Sequence, residues 1–311
     1  MPFKVTFRLA AWVTAVGAAI LAAPPSSAQR EPLPPPAPPS AAAAGTAAAG
    51  PDFSDLLSLT GPAVEVRYAP DALDRAARIQ MQLVAVRHAL ARLTRAPLDW
   101  TGVLLDAHRW NAAGLEMPWG LPERLGAGTF LLPAAGDDAS VAMARRLVGA
   151  QLPEVEAPLV GSEQQAASLV VADTLVELDL ARAFVETARI SGDEPWVSGV
   201  VVALVARYSW EGTEPQRMLE IVGLFDRMAA LRGGPRARRL ADYRGGLPYD
   251  DDLWYQAQFV RGADAIWVAE GARGTAHLLK RLARDGVAAR RSDLEKRYPA
   301  LLDWEHAAFA P

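Results

Sequence analysis

The sequence predicts an α+β domain. Short apolar or alternating runs bounded by Gly and Pro are confined to residues 60–135, and residues 138–311 read almost entirely as helices separated by glycine breaks. The 311 residues, 51% hydrophobic and 22% charged, are enough to bury a sizeable core at an ordinary globular composition.

The N-terminus reads as a secretory signal peptide, residues 1–28. Lys4 and Arg8 give a positive start, Leu9 to Ala23 an uncharged apolar run of 15 residues, and Ser26-Ser27-Ala28 the small residues of a cleavage site before Gln29. The run is short for a membrane span, so none is expected after cleavage. Residues 29–51 are nearly all Pro, Ala and Gly, a low-complexity tether with little to bury. One domain is expected over 52–311.

Within that domain, Val64 to Tyr68 alternates and stops at Pro70, as a strand does. Asp71 is placed to cap a helix running to about Leu93. Its apolar face is expected at Leu73, Ala77, Met81, Val84 and the His88-Ala89 step. Val103-Leu104-Leu105 and Thr129 to Leu132 read as strands, joined by a turn-rich stretch at Trp119-Gly120-Leu121-Pro122. Helices are predicted at 139–150, 164–190, 194–208, 214–231, 252–269, 273–284 and 291–297. Breaks fall at Gly192, Gly233-Gly234-Pro235, Gly245-Gly246, Gly271 and Gly286. Pro195 suits the first turn of its helix, with Asp193 as cap.

Several function classes drop out. With no cysteine there are no disulfides, thiolate metal sites or cysteine nucleophile. Without Lys4 and Arg8 the 32 basic residues fall to 30 against 36 acidic ones, a formal charge of −6 that argues against a nucleic-acid partner. No phosphate loop or Gly-x-Ser-x-Gly elbow is present. His88, His108, His277 and His306 lack ligand-like neighbours at i+2 or i+4. Asp137-Asp138 and Asp250-Asp251-Asp252 read as helix starts, where negative charge is favoured. Arg232, Arg236, Arg238 and Arg239 read as a solvated loop.

The two central helices carry a resemblance. Val176-Glu177-Leu178-Asp179-Leu180 lies on the first; eighteen residues, 181–198, separate Leu180 from Gly199, which lies within Trp196-Val197-Ser198-Gly199 and is followed by Ala206-Arg207-Tyr208. The arrangement resembles the gluzincin, or peptidase MA-like, zinc metallopeptidases and their zincin-like (thermolysin-type) fold. Their first helix carries His-Glu-x-x-His, two zinc ligands at i and i+4 with a general-base Glu, and their second helix supplies a third ligand, Glu. Trp110, Trp119 to Pro122, Leu132-Pro133-Ala134 and Trp254 to Phe259 look like flanking parts of the same family.

The resemblance puts Glu177 at the general-base position and Val176, Leu180 and Gly199 at the three ligand positions. None of the three can bind zinc, and without zinc nothing lowers the pKa of a bound water from about 16 to near 7. The resemblance therefore implies an exported pseudo-peptidase, without metal or other cofactor, that binds a peptide or protein in the former substrate cleft. Trp119, Trp196, Tyr208, Trp254 and Tyr255 are its candidate cleft aromatics. An active hydrolase with unrecognised metal ligands, or a structural envelope protein, are the alternatives. A periplasmic or extracellular location follows from the signal segment.

Overall fold

Three inner strands built from short β-branched and apolar runs, with a more polar strand at each edge, make one mixed sheet, ordered β1-β2-β3-β5-β4: β1 Leu57–Gly61, β2 Val64–Tyr68, β3 Trp100–Leu105, β4 Glu123–Leu125 and β5 Thr129–Pro133. The three inner strands are parallel, and each edge strand runs antiparallel to its neighbour. The computed structural model describes residues 51–149, 163–213, 218–230, 239–245, 247–285 and 288–309. The signal segment, all but the last residue of the tether, Arg232, Arg236 and Arg238 lie outside them.

Alternation sets the two faces of the sheet. Val64, Val66, Leu104, Phe130 and Leu132 enter the main core, whereas Val103, Leu105 and Leu131 join a smaller cluster with Leu56 and Trp110. The short α2 (Ala107–Ala112), capped by the Asp106 side chain, supplies Trp110 to that second cluster.

Helix α1 (Leu73–Ala91) corrects two expectations. Asp71 does not cap it; Pro70–Ala72 form a single 3-10 turn, Ala72 is the N-cap, and no side chain caps the helix. Its buried face is Ala76, Ile79, Leu83, Val86 and Leu90, while Leu73, Met81 and Val84 are exposed. The helix carries two apolar stripes. The one richer in Leu, Ile and Val buries more area, at about 25 cal/mol per Å². Gly102 on β3 makes room for it, since a Cβ there would stand 3.2 Å from Leu83 Cδ1.

The second half is helical: α3 Asp138–Val148, α4 Glu163–Thr187, α5 Pro195–Thr213, α6 Met218–Ala230, α7 Tyr249–Asp285, α8 Arg291–Arg297 and α9 Ala300–Phe309. The 214–231 prediction begins and ends outside the described residues. The pair expected at 252–269 and 273–284 forms α7, interrupted at Gly271, whose φ of 61° and ψ of −175° are not helical. Asp137 caps α3 in a reciprocal box with Ser140. Helix α5 is buried nearly all round, from Trp196 to Trp210, with α1, α4, α6 and α7 packed about it.

Candidate functional site

Helix α4 is apolar apart from two polar stripes, and each stripe has a destination. Asp173 and Glu177, at i and i+4, turn toward α1. There Arg75, buried beside the end of β5, donates both terminal nitrogens to the Asp173 carboxylate, and Gln82 Nε2 donates to Asp173 O at 3.0 Å and Glu177 Oε1 at 2.6 Å. Ser140 and Ser168 join α3 to α4 by a hydroxyl pair at 2.9 Å. These contacts fix how α4 is rotated. Leu175, Leu178, Asp179 and Arg182, spaced i, i+3, i+4 and i+7, are thereby left on the wall of a cavity of about 690 Å³.

The opposite wall comes from β4 and the segment before it, with Glu116, Met117, Glu123 and Arg124; the loop before α7 and its first turns add Tyr243, Leu247, Tyr249, Asp252 and Gln256. Strand β4 is held by β5 on one side only among the described residues, so a sheet edge borders the cleft. Glu123 accepts from the Met117 amide at 3.1 Å and shapes that rim. Arg124 is bidentate to Glu186 at 2.6 and 2.8 Å, tying the edge strand to the end of α4.

Four carboxylates and two guanidiniums line this cavity, and one guanidinium, Arg124, is already taken by Glu186. The Arg182 guanidinium lies 4.0 Å from Asp179 and 3.9 Å from Asp252, ion-paired with both and too far to hydrogen-bond either. No hydrogen bond reaches the Asp179 carboxylate among the described residues. Burial pushes the Asp179 carboxyl up to about 6, against the pull of Arg182 and Arg124 and with help from Asp252 and Glu186. Tyr243 donates to Asp252 at 3.3 Å and accepts from Gln256 Nε2 at 3.0 Å; burial, then the Asp252 charge, raises its phenol.

The residues singled out by the family spacing lie elsewhere. Val176 and Leu180 are fully buried in the main core. Gly199 abuts the Phe259 ring so closely that a Cβ would meet it at 2.4 Å. Glu177 is 3% exposed, in the α1 seam.

The five aromatics are also dispersed. Trp196 is core, its indole N–H on Glu194 at 2.7 Å, with Trp304 and Arg291 against its ring. Trp254 donates to Ala229 O at 3.2 Å and Tyr255 to Arg239 O at 3.1 Å, both within the cluster around Phe309. Tyr208 is half-buried at the core edge, and Trp119 packs edge-on to Trp110 in the second cluster. The cavity aromatics are instead Tyr243 and Tyr249.

All four histidines are exposed. Among the described residues no three His, Asp or Glu side chains converge to hold a metal ion, and no helix is long and apolar enough to cross a membrane. Asp250 pairs with Arg146 while Asp252 turns into the cavity, so the acidic run at the start of α7 serves two purposes.

In the sequence Asp179 reads only as an intervening position of the family motif and Asp252 as a helix start, and Arg182 and Tyr243 carry no motif. The available signal was the second polar stripe of α4, Asp179, Arg182 and Glu186 at i, i+3 and i+7 in an otherwise apolar helix. Comparison with protein-family models, with curated proteins and with solved structures gives no match for this chain.

Proposed function

We propose that the chain is an exported, catalytically inactive relative of the gluzincin peptidases that binds a peptide or protein segment in the cleft between β4 and α4. One observation carries the reading. The cleft face of α4 presents Leu178 and Arg182 at i and i+4 with Asp179 beside Leu178. That face brings a carboxylate, a guanidinium and a leucine to the cleft wall and no imidazole, while the positions that the family spacing picks out, Val176, Leu180 and Gly199, lie in the core. A guanidinium and an isobutyl group cannot ligate zinc, so the peptidase chemistry has no Lewis acid here.

The remaining geometry suits binding. The volume falls in the range of ligand clefts. Edge strand β4 can accept an extended segment as a further strand, with main-chain hydrogen bonds for affinity and the cavity for side chains. The surplus of carboxylates over free guanidiniums favours a segment carrying basic side chains. Among the described residues the Asp179 and Glu116 carboxylates accept no hydrogen bond and so have none to give up on binding.

As a second reading, the raised Asp179 carboxyl is also what a general base working near neutral pH needs, which favours a metal-independent hydrolase.

The test is a peptide library passed over the full chain, with retained peptides and cleavage products identified by mass spectrometry. Uncleaved basic peptides are expected to be retained, with zinc content below about a tenth of an equivalent. Retention should fall for Leu247→Trp, which narrows the cleft. Cleavage that vanishes with Asp179→Asn would establish the hydrolase instead. Neither retention nor cleavage would leave a structural envelope protein.

A further inference from the structure

The exposed stripe of α1 is the feature the cleft leaves unused. At 100° per residue, Met81 projects opposite the centre of the buried Ile79, Leu83, Val86 and Leu90 face. Met81 is 66% exposed, Leu73 49% and Val84 43%, and exposed Ala85 lies beside them. Three exposed large apolar residues within three turns of one helix form a stripe, not scattered surface.

Charge is polarised along the same stripe. Asp71 and Asp74 stand at its start, His88 and Arg92 at its end, all exposed. Asp74, Met81 and His88 lie seven residues apart, within about 20° of one line down the helix. A surface acidic at one end, basic at the other and apolar between is complementary to itself when turned end for end.

We propose that α1 is a self-association surface: two copies pair antiparallel along it, about a two-fold axis at Met81. Residues equidistant from Met81 then face each other. Asp74 of one copy meets His88 of the other, twice, and Ala77 meets Ala85, small residues that let the axes approach to about 8 Å. The contact spans about 21 Å of helix, the rise of fourteen residues. An interface of one helix per copy is at the small end for specific association, so the dimer is weak, with Kd of order micromolar. The surface is independent of the cleft and of its function.

The absence of native cysteine makes the register testable in the full chain. Met81→Cys introduces the only thiol, at the axis, and is expected to form a disulfide-linked dimer under mild oxidation. Val268→Cys, at a more exposed site on α7, is expected to stay monomeric. In sedimentation over about 1 to 200 μM the native chain should pass from monomer to dimer. Met81→Glu should abolish the transition and Asp74→Lys should weaken it about tenfold. The swapped pair Asp74→Lys/His88→Glu should restore it.

A monomer at all concentrations would overturn the proposal. So would association that persists in Met81→Glu, cross-linking of Met81→Cys no faster than of Val268→Cys, or failure of the swapped pair to recover. Binding of the monomer to phospholipid vesicles that is lost in Met81→Glu would assign the stripe to a lipid surface and overturn it too.

Discussion

Asp179 shows how much one side chain takes from its place in the fold. Its carboxyl titrates at about 6 in the folded chain against an ordinary 3.8, so the folded state holds a proton that the unfolded chain releases. Stability therefore falls as pH rises from about 4 to 6 and stays lower above that. Asp179→Asn is expected to gain about 1–3 kcal/mol at pH 7.5 and almost nothing at pH 4, read from urea denaturation at the two values.

Arg75 behaves oppositely. It is 1% exposed, and its guanidinium is satisfied by Asp173 and the Pro133 carbonyl. Arg75→Met leaves Asp173 without its cation and should cost about 3–5 kcal/mol, and Arg75→Met/Asp173→Leu should recover most of it. The same measurement serves for both. These roles were poorly legible in sequence, where Asp173, Glu177 and Asp179 are similar carboxylates on one helix. Only the rotation of α4, set by Arg75, Gln82 and Ser140 from other elements, sends two of them to a seam and one to a cleft.

At the scale of elements, legibility follows the punctuation. The strand at Val64–Tyr68 and the helix Arg291–Arg297 begin and end as read, the strand stopping just before Pro70 and the helix starting after an extended Arg290. The break at Gly271 was visible because glycine tolerates its conformation. With φ at 61° and ψ at −175°, Gly271→Ala should cost about 1–3 kcal/mol, and the loss should appear in a thermal melt. Removing the α3 cap with Asp137→Ala should cost about 0.5–2 kcal/mol in the same assay. Strands β1 and β4 were missed for the converse reason. Both are edges with one pairing side each among the described residues, β1 mostly exposed and β4 half-buried, so neither carries the apolar run that marks an inner strand. The face of α1 was misread because periodicity ranks two apolar stripes alike. The space beside Gly102 decides between them, and that space is a tertiary fact.

At the scale of the whole molecule the α+β class was legible from the order of strand-like and helical segments. The cleft was not, since its walls come from residues as distant as Glu116 and Gln256. The expected export has its own check: the N-terminus of the chain recovered from outside the cytoplasm should be Gln29, read by intact mass.

The apolar helix α5 is enclosed by α1 from the beginning of the domain and by α7 from near its end. A ribosome supplies these in order, so about fifty residues of chain separate the appearance of α5 from that of its principal cover. Until Tyr249 and the turns after it emerge, α1 and α4 can cover part of α5, but the side that α7 closes stays open. The domain thus cannot mature piecemeal. A chain not yet extended through α7 therefore exposes apolar surface of α5, the kind of surface that makes incomplete chains prone to aggregate.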